Sequence, residues 1–290
     1  MTATNWRLVR SGALSGAMNM ALDEALLESV ASGLSAPVLR LYRWSPPTVT
    51  LGYGQRGADV VNLAACRRFG YQVVRRMTGG RAVLHDCEVT YAVVAPERNE
   101  LFPGEILSNY RVIAGALQDL MATYGIDATL APGQSRGGRQ DGAQHSACFT
   151  AASSYELVYQ GCKLTGSAQK RQSGVFLQHG SIPLEIDVER LFAALDSAGR
   201  ISAERGGALL ARSVGWLRRW VSQPLTIDEV EDRLIDVFSA RFGIHFTADD
   251  ATAVERKRAA ELVTFKYADP AWTFSGITGP GQEGEVLSAF

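Results

Sequence analysis

Cysteine is scarce in this sequence of 290 residues, which has four cysteines and no CxxC pair. Cys66, Cys87, Cys148 and Cys162 are separated by 21, 61 and 14 residues, a spacing that disfavours a zinc cluster. No metal site is therefore expected. Free thiols are expected in a cytoplasmic chain, and a buried, unreactive thiol is the ordinary state of such a residue.

Long apolar runs and an excess of charge of either sign are also missing. No apolar stretch approaches membrane-spanning length, and the first residues lack the apolar core of a secretory signal, so we expect a cytoplasmic protein without a membrane partner. Lys and Arg total 29 while Asp and Glu total 30, which disfavours a nucleic-acid binder that relies on bulk positive charge. With 46% apolar and 20% charged residues, the chain has an ordinary globular composition.

The predicted elements run in the order of a helix, many strands and a helical tail. Apolar spacing predicts helices over 18–30, with Ser15 or Asn19 as its cap, and over 105–124. Strand-like runs lie at 37–44, 48–53, 71–76, 81–85, 88–95, 154–160, 162–165 and 174–184, and helical patterns follow at 188–196, 203–212, 226–241 and 252–264. Because strict alternation of strands and helices is absent, we predict an α+β fold with mixed or antiparallel sheets flanked by helices.

The segment RRMTGGRAVLHD at 75–86 places two glycines between two strands. Gly79 and Gly80 permit positive φ and let backbone N–H groups approach a ligand, while Arg76 and Arg81 supply donors for a carbonyl, carboxylate or phosphate. A glycine hairpin with solvated arginines is the alternative interpretation. The usual nucleotide-binding loops are disfavoured because neither GxxxxGK[ST] nor GxGxxG occurs.

One cysteine is a better candidate nucleophile than the others. Cys148 follows the polar, glycine-rich stretch 132–146 and precedes a strand, a placement that favours access, whereas Cys162 lies in an alternating strand and is expected to have its side chain buried. A reactive thiol needs a nearby cation to lower its pKa, and Lys163 lies between apolar strands ahead of a small-residue turn at 165–168. A surface lysine at a strand edge is the alternative for Lys163.

Two histidines offer a second candidate base. His85 ends the first of these segments, and His179 lies in the strand-like run GVFLQHGSIPL. Imidazole beside a thiol can accept its proton. Either histidine could equally be a core residue bonded to the backbone.

Two motifs, in this order and at this spacing, resemble the superfamily of lipoate–protein ligases and biotin–protein ligases. RRMTGGRAVLHD is similar to its acyl-binding loop, GCKLTGSAQKR at 161–171 to its lysine motif, and SGALSGAMNMALDEALL to its opening helix. Within the superfamily the chain most resembles the cysteine-dependent octanoyltransferases, which carry strings like Ala147-Cys148-Phe149, Tyr155-Glu156-Leu157-Val158 and LQHGSI at 177–182.

The resemblance implies a ligase-like catalytic domain over 1–250 and a helical C-terminal extension, packed on it, over 251–290. It implies that Cys148 is the acyl-thioester nucleophile and Lys163 the residue that lowers its pKa. The substrate-binding residues that we predict are Arg76, Thr78, Gly79, Gly80, Arg81, His85, Gly166, Ser167, Ala168 and His179.

The implied reaction moves octanoyl from octanoyl-acyl carrier protein to a lysine of a lipoyl domain, with the glycine-cleavage H protein as the expected acceptor. No cofactor is expected. Strands 71–76 and 88–94 are expected to line an apolar tunnel, Gly79-Gly80 or Gly166-Ser167 to bind the oxyanion, and Arg75, Arg76 and Arg81 either to dock the acidic carrier or to be solvated. Alternatives are an ATP-dependent lipoate or biotin ligase, octanoyl transfer between lipoyl domains, and a non-catalytic acyl- or lipoyl-domain-binding protein.

Overall fold

The computed structural model describes residues 4–131, 156–199 and 201–276. The strands are β1 Thr4–Leu14, β2 Val38–Trp44, β3 Thr48–Leu51, β4 Gln72–Arg75, β5 Val83–His85, β6 Glu88–Pro96, β7 Thr129–Leu130, β8 Leu157–Tyr159, β9 Cys162–Lys163, β10 Gly166–Gln172, β11 Val175–Pro183 and β12 Ile244–Asp249. The α-helices are α1 Gly16–Ala31, α2 Gly57–Val60, α3 Leu63–Phe69, α4 Ile106–Thr123, α5 Val188–Leu195, α6 Ala203–Leu210, α7 Ile227–Phe242, α8 Ala253–Leu262 and α9 Pro270–Ser275. In the described part of the chain, no helix combines the length and the apolar character needed to cross a membrane.

A six-stranded sheet in the order β10-β11-β6-β2-β1-β12 forms the centre of the fold. β1 pairs in parallel with both β2 and β12, whereas β2, β6, β11 and β10 pair antiparallel. A three-stranded sheet in the order β4-β3-β5 and another in the order β7-β8-β9 complete the β structure of the described residues. The predicted α+β fold with mixed sheets is therefore confirmed.

The two faces of the central sheet bury different helices because side chains alternate along each strand. Leu39 and Leu41 of β2 join the apolar core that includes residues of α4 and α7. Tyr42 and Trp44 of the same strand join a second core with residues of α1 and α8. The central sheet therefore has apolar contacts on both faces, and the α1 side is the one that carries the polar groups described below.

Helix α1 begins at Gly16, two residues before the predicted start, and its cap is Ser15, one of the two predicted candidates, whose side chain accepts from the amide of Met18 at 3.3 Å. Its inner side is unusual because two consecutive carboxylates, Asp23 and Glu24, are buried. Glu24 accepts from Lys266 and Tyr267, which lie in the helical segment that follows α8. This segment therefore pairs with one of the two buried carboxylates. Asp23 faces the central sheet instead, and buried carboxylates of this kind need charged or hydrogen-bonding partners.

The structure differs from the sequence-based predictions and alternatives at three places. β1 and β12 were not predicted; β1 carries a register shift between Arg10 and Gly12 that interrupts its alternation. The expected turn at 165–168 is the start of β10, an edge strand whose polar sequence GSAQKRQ lacks an apolar face. The segment 75–86 is no hairpin, because β4 and β5 both pair with β3 rather than with each other.

Candidate active site

A cavity of about 160 Å³ lies between the six-stranded sheet and the β4-β3-β5 sheet, on the α1 side of the central sheet. Its apolar lining includes Met20, Trp44, Val83 and Pro183. The other lining residues are Tyr42, Thr50, Arg76, Gly80, Arg81, His85, Thr90, Glu156, Lys163, Gly166, Ser167, Ala168, His179, Gly180 and Ser181. For scale, an apolar cavity of roughly 150 Å³ accommodates a benzene molecule, so this space suits a small apolar group.

The cavity crosses the central sheet from its edge strand inward. Gly166 of β10, Ser181 of β11, Thr90 of β6 and Tyr42 of β2 are successive partners across the strands, and each lines the cavity. Three strand spacings of about 4.8 Å make this row roughly 14 Å long. Lys163 therefore adjoins the β10 end of the cavity, since the Nζ of Lys163 is the neighbour that a Cβ on Gly166 would meet, at 3.6 Å.

Lys163 and Glu156 form the charged pair of the cavity. Glu156 directly precedes β8 and Lys163 ends β9, and these two strands are joined by a tight turn in which Gln160 and Gly161 have φ of 48° and 77°. The ammonium of Lys163 donates to the Glu156 carboxylate at 2.6 Å, and both side chains are largely buried, at 11% and 6% exposed. A buried cation beside the cavity wall is the electrostatic setting that a thiolate or an oxyanion requires.

Arg76 determines the shape of the glycine loop. Its guanidinium donates to the hydroxyls of Thr78 and Thr50 at 3.0 and 3.1 Å, and to the carbonyls of Gly79 and Arg81 at 2.7 and 2.8 Å. Loop and strand are therefore held by one side chain. This loop conformation places Arg81 at the cavity.

Gly80 is the loop residue whose backbone needs glycine, with φ of 91°, whereas Gly79 has no positive φ. On its other side the loop contacts Gly52, where an added Cβ would lie 1.9 Å from the Gly80 carbonyl oxygen. The loop is therefore packed tightly on β3 as well as bonded to Arg76.

The expected role of Arg75 and Arg76 in docking a carrier protein was wrong, as was the alternative of solvated side chains. Arg75 is 1% exposed and Arg76 is 5% exposed. Arg75 donates to carbonyl groups of the β3–α2 connection and of α9, namely those of Gly52, Tyr53, Gln55, Trp272 and Thr273. Arg81 is exposed beside the cavity, so it alone of the three arginines faces solvent.

Both candidate histidines line the cavity, and each lies between a carboxylate and a threonine. His179 contacts Asp23 through Nδ1 at 2.9 Å and Thr78 through Nε2 at 2.7 Å. Burial lowers the pKa of His179 below its usual value, so its ring is neutral at pH 7. Burial opposes the ionisation of Asp23, but the charge of Arg40 and the hydrogen bond from His179 outweigh it and lower the pKa of the Asp23 carboxyl.

His85 has the same arrangement in the second sheet. Its Nδ1 contacts Glu88 at 2.6 Å and its Nε2 contacts Thr50 at 3.0 Å. The indole of Trp44 stacks on the imidazole at 4.2 Å between ring centres. The alternative of core histidines bonded to the backbone was wrong in its partners, because both rings bond to side chains.

Ser167 is fixed by aromatic hydroxyls. Its hydroxyl contacts that of Tyr91 at 2.8 Å, and its carbonyl accepts from Tyr110 at 3.1 Å. Gly180, its partner on β11, has no room for a Cβ, which would lie 2.7 Å from the Ser167 hydroxyl. The backbone of β10 is therefore held in place where it borders the cavity.

The structure brings together nearly all of the residues predicted from the sequence. Arg76, Gly80, Arg81, His85, Lys163, Gly166, Ser167, Ala168 and His179 line the cavity. Thr78 and Gly79 do not line it but bond to Arg76 behind it. Cys148 lies outside the described residues. The described residues on either side of it are bonded to each other, because the amide of Ala131 donates to the carbonyl of Glu156 at 2.8 Å. Of these two, Glu156 lines the cavity.

Several residues of the site were not singled out in the sequence. They are Met20, Asp23, Tyr42, Trp44, Thr50, Glu88, Thr90, Glu156 and Ser181. Asp23 gave no usable signal, since it lies off the predicted apolar stripe of α1, where a solvated carboxylate is ordinary. The expected tunnel walls were mostly wrong, because only Arg76 of 71–76 and Thr90 of 88–94 reach the cavity.

Comparison with known proteins agrees with this geometry. Residues 15–239 match the family described as the lipoyl protein ligase A/B catalytic domain. The proteins named octanoyltransferase LipM from Kyrpidia tusciae and from Symbiobacterium thermophilum are each 42% identical over 270 residues, which are 93% of this chain and 98% of theirs. The family resemblance seen in the sequence is thereby confirmed.

Solved structures of lipoate–protein ligases share the fold. A bi-partite lipoate protein ligase from Thermoplasma acidophilum is 26% identical with a TM-score of 0.78, covering 96% of this chain and 99% of its own. Lipoate-protein ligase A bound with ATP is 27% identical with a TM-score of 0.76, covering 94% of this chain and 100% of its own. The chain belongs to the lipoyl protein ligase A/B catalytic domain family, and among its members it groups with the octanoyltransferases.

Proposed function

We propose that the protein transfers an octanoyl group from octanoyl-acyl carrier protein to a lysine of a lipoyl domain, through a thioester on Cys148. The observation that carries the proposal is the Lys163–Glu156 pair, which lies at the β10 end of a largely apolar cavity. The full-length similarity to octanoyltransferases supports the same acyl group. The glycine-cleavage H protein is the acceptor that we expect.

The length of the cavity is sufficient for a medium-length chain. An extended octanoyl group is roughly 9 Å long, from carbon–carbon bonds of about 1.5 Å, and the row of lining residues from β10 to β2 is longer than this. With its carbonyl near Lys163, a chain of this length would extend across β11 as far as Thr90 of β6. Each methylene buried there contributes about 0.8 kcal/mol, which favours octanoyl over shorter chains.

Cys148 is within reach of this cavity along the chain. It precedes Glu156 by eight residues, a span of no more than about 28 Å. Glu156 itself lines the cavity and pairs with Lys163. The ammonium of Lys163 would stabilise a thiolate at Cys148, which is the form that attacks a thioester.

Both chemical steps balance without a further reactant. The Cys148 thiolate attacks the thioester carbon, the carbon–sulfur bond to the carrier breaks, and the carrier thiolate takes up a proton. The neutral lysine amine of the lipoyl domain then attacks the enzyme thioester, forms the amide and releases the Cys148 thiolate and a proton. Each step passes through an oxyanion, and a backbone donor near it contributes about 3 kcal/mol.

Intact-mass measurement after mixing with octanoyl-acyl carrier protein tests the proposal. We expect one octanoyl adduct that hydroxylamine removes, that is absent in Cys148→Ser and that forms in Cys87→Ser, the matched control at a half-buried thiol. Lys163→Gln is expected to form the adduct about a hundredfold more slowly or worse, since a positioned acid–base group contributes about a hundredfold at least. An adduct that persists in Cys148→Ser would contradict the proposal.

An ATP-dependent lipoate ligase is the second candidate, favoured by the structural similarity to a lipoate-protein ligase A bound with ATP. It predicts turnover of free octanoate or lipoate with ATP, release of pyrophosphate and no effect of Cys148→Ala. Transfer between lipoyl domains predicts that an octanoylated lipoyl domain replaces the carrier protein as donor. Comparing the three donors in one assay separates these candidates.

A further inference from the structure

Two histidine units on opposite walls of the cavity share one arginine. In one unit Asp23, His179 and Thr78 are bonded in series, and in the other Glu88, His85 and Thr50 are bonded in the same way. The two threonine hydroxyls both accept hydrogen bonds from Arg76. A continuous polar chain therefore runs from α1 through the glycine loop to β6.

The direction of these hydrogen bonds follows from the chemistry of the groups. A carboxylate only accepts, so the Nδ1 atom that faces it in each histidine carries the proton. In a neutral ring Nε2 then has a lone pair, which accepts from the threonine hydroxyl. Each hydroxyl oxygen in turn accepts from the guanidinium of Arg76, which cannot accept.

Both ring nitrogens of each histidine are thus engaged. Both imidazoles are buried, at 6% exposed for His179 and 7% for His85. A general base must place a free lone pair within hydrogen-bond distance of the proton that it removes. Neither ring has such a lone pair, whereas the threonine and arginine groups that they orient reach the loop beside the cavity.

We propose that His179 and His85 act in acyl transfer as positioning residues. They orient the Thr78 and Thr50 hydroxyls, and these hold Arg76 in the place where it binds the carbonyls of Gly79 and Arg81. The glycine loop is thereby set against the cavity, and the histidines take no proton from the thiol or the amine. This inference rests on the proposed function for its kinetic test, but not for its structural test.

The carboxylates of Asp23 and Glu88 belong to the same hydrogen-bond network. Glu88 also accepts from Thr90 and Ser181, each at 2.5 Å, and Asp23 also accepts from Arg40 and Tyr42 at 2.6 and 2.9 Å. Each carboxylate is therefore held by several donors from the central sheet. Because the carboxylate is held in place, it fixes the orientation of the histidine, which in turn orients the loop.

A double-mutant cycle between His179→Gln and Thr78→Val tests the inference kinetically. Groups that act through one element are not additive. We expect each single variant to lower kcat/KM by between about tenfold and a hundredfold, the range for a misplaced site. The kcat/KM of the double variant should be within about threefold of that of the less active single variant. The decrease of kcat/KM at low pH, the acid limb of the pH–rate profile, should have the same midpoint in both single variants as in wild type. His245→Gln, an exposed histidine on β12, is the matched control.

Two kinetic results would overturn the inference. One is a pair of losses that multiply in the double variant. The other is an acid limb that disappears in His179→Gln and persists in Thr78→Val, because a general base would give that result. Wild-type protein that forms no octanoyl adduct contradicts the proposed function instead and leaves the structural test in force.

Hydrogen exchange gives that structural test. The amide of Tyr53 donates to the Thr78 carbonyl at 2.8 Å, and the amide of Arg76 donates to the Leu51 carbonyl at 2.9 Å. Both amides should exchange at least several-fold faster in His179→Gln and Thr78→Val than in wild type or His245→Gln, with the amides of β6 unchanged. Unchanged exchange at both amides in His179→Gln would overturn the inference whatever the activity.

Discussion

Buried charge at single residues distinguishes this site from an ordinary apolar pocket. Lys163 and Glu156 bond at 2.6 Å with little solvent contact, and His179 and Asp23 bond at 2.9 Å with less. Burial of such groups is costly unless each has a partner, and here each has one. The sequence marked Lys163 and His179 as candidates, but their partners lie 7 and 156 residues away along the chain.

The thiols should differ sharply in reactivity. Burial raises the pKa of Cys66 to about 11 and also raises that of Cys87. At pH 8 about one Cys66 in a thousand is a thiolate, and the thiolate is the species that iodoacetamide alkylates. We expect Cys148 to be alkylated first and Cys66 last, as measured by peptide mass after timed quenching. Equal rates at Cys66 and Cys148 would contradict this.

His179 should make stability depend on pH in a known direction. Burial lowers its pKa from the usual 6.5, so between the two values the unfolded chain binds more protons than the folded protein. The free energy of unfolding therefore rises with pH up to about 6.5, by at most about 1.4 kcal/mol per pH unit from this group.

Urea unfolding of wild type and His179→Gln at several pH values measures this effect. The difference in unfolding free energy between them should grow in favour of wild type as the pH rises to about 6.5 and then stay constant. Parallel curves over the whole range would show that the ring is not held neutral by burial.

At the scale of elements, the glycine loop and the edge strand β10 form the site. Helices with strong periodicity, such as α4 and α7, were predicted to within a few residues. The loop residues were found from their motif, but the pairing of β4 and β5 with β3 was not, because strand pairing depends on contacts distant in sequence. The start of β10 was mistaken for a turn, since no apolar residues alternate in GSAQKRQ.

The contact between β3 and the loop can be tested with two neighbouring glycines. A Cβ at Gly52 would lie 1.9 Å from the Gly80 carbonyl oxygen, whereas a Cβ at Gly54 meets nothing within 4 Å. Gly52→Ala should therefore displace the loop, lower the unfolding free energy by about 1–3 kcal/mol and reduce adduct formation.

Gly54→Ala is the matched control for this substitution, two residues away, and should retain wild-type stability and rate. Urea unfolding and the intact-mass assay measure both variants. Two variants that behave alike would show that the loop does not rely on its contact with Gly52.

For the whole molecule, we propose that the helical tail is an integral part of the fold rather than a separable extension. Leu262, Tyr267 and Trp272 of the tail belong to the apolar core under α1. Arg75 ends β4 and bonds to the carbonyls of Trp272 and Thr273, which ties the tail to the strand before the glycine loop. The boundary at residue 250 stays a prediction that truncation can test.

A chain ending at residue 250 should be strongly destabilised. It loses three large buried side chains, each contributing about 1.5–3 kcal/mol, so a loss of roughly 5 kcal/mol or more is expected. This is comparable with the stability of a whole domain. Thermal and urea unfolding measure it, and cooperative unfolding at the wild-type midpoint would instead show a separable extension.

Two point variants serve as controls for the truncation. Trp272→Ala removes a side chain that is 4% exposed and should lower the unfolding free energy by about 3–5 kcal/mol. Phe265→Ala removes one that is 49% exposed and should change it by less than about 1 kcal/mol.

Local sequence patterns alone determined much of this protein: its family motifs, the class of its fold, most helices, and the residues of the glycine loop and of the lysine motif. These features depend on side chains close together in the chain, so spacing reveals them. Only the tertiary structure decided that Arg75 and Arg76 are buried, that Glu156 pairs with Lys163, and that Asp23 and Glu88 orient the histidines. Such partners come from separate strands, helices and loops, because a buried charge is stabilised by whatever group the fold brings within hydrogen-bond distance.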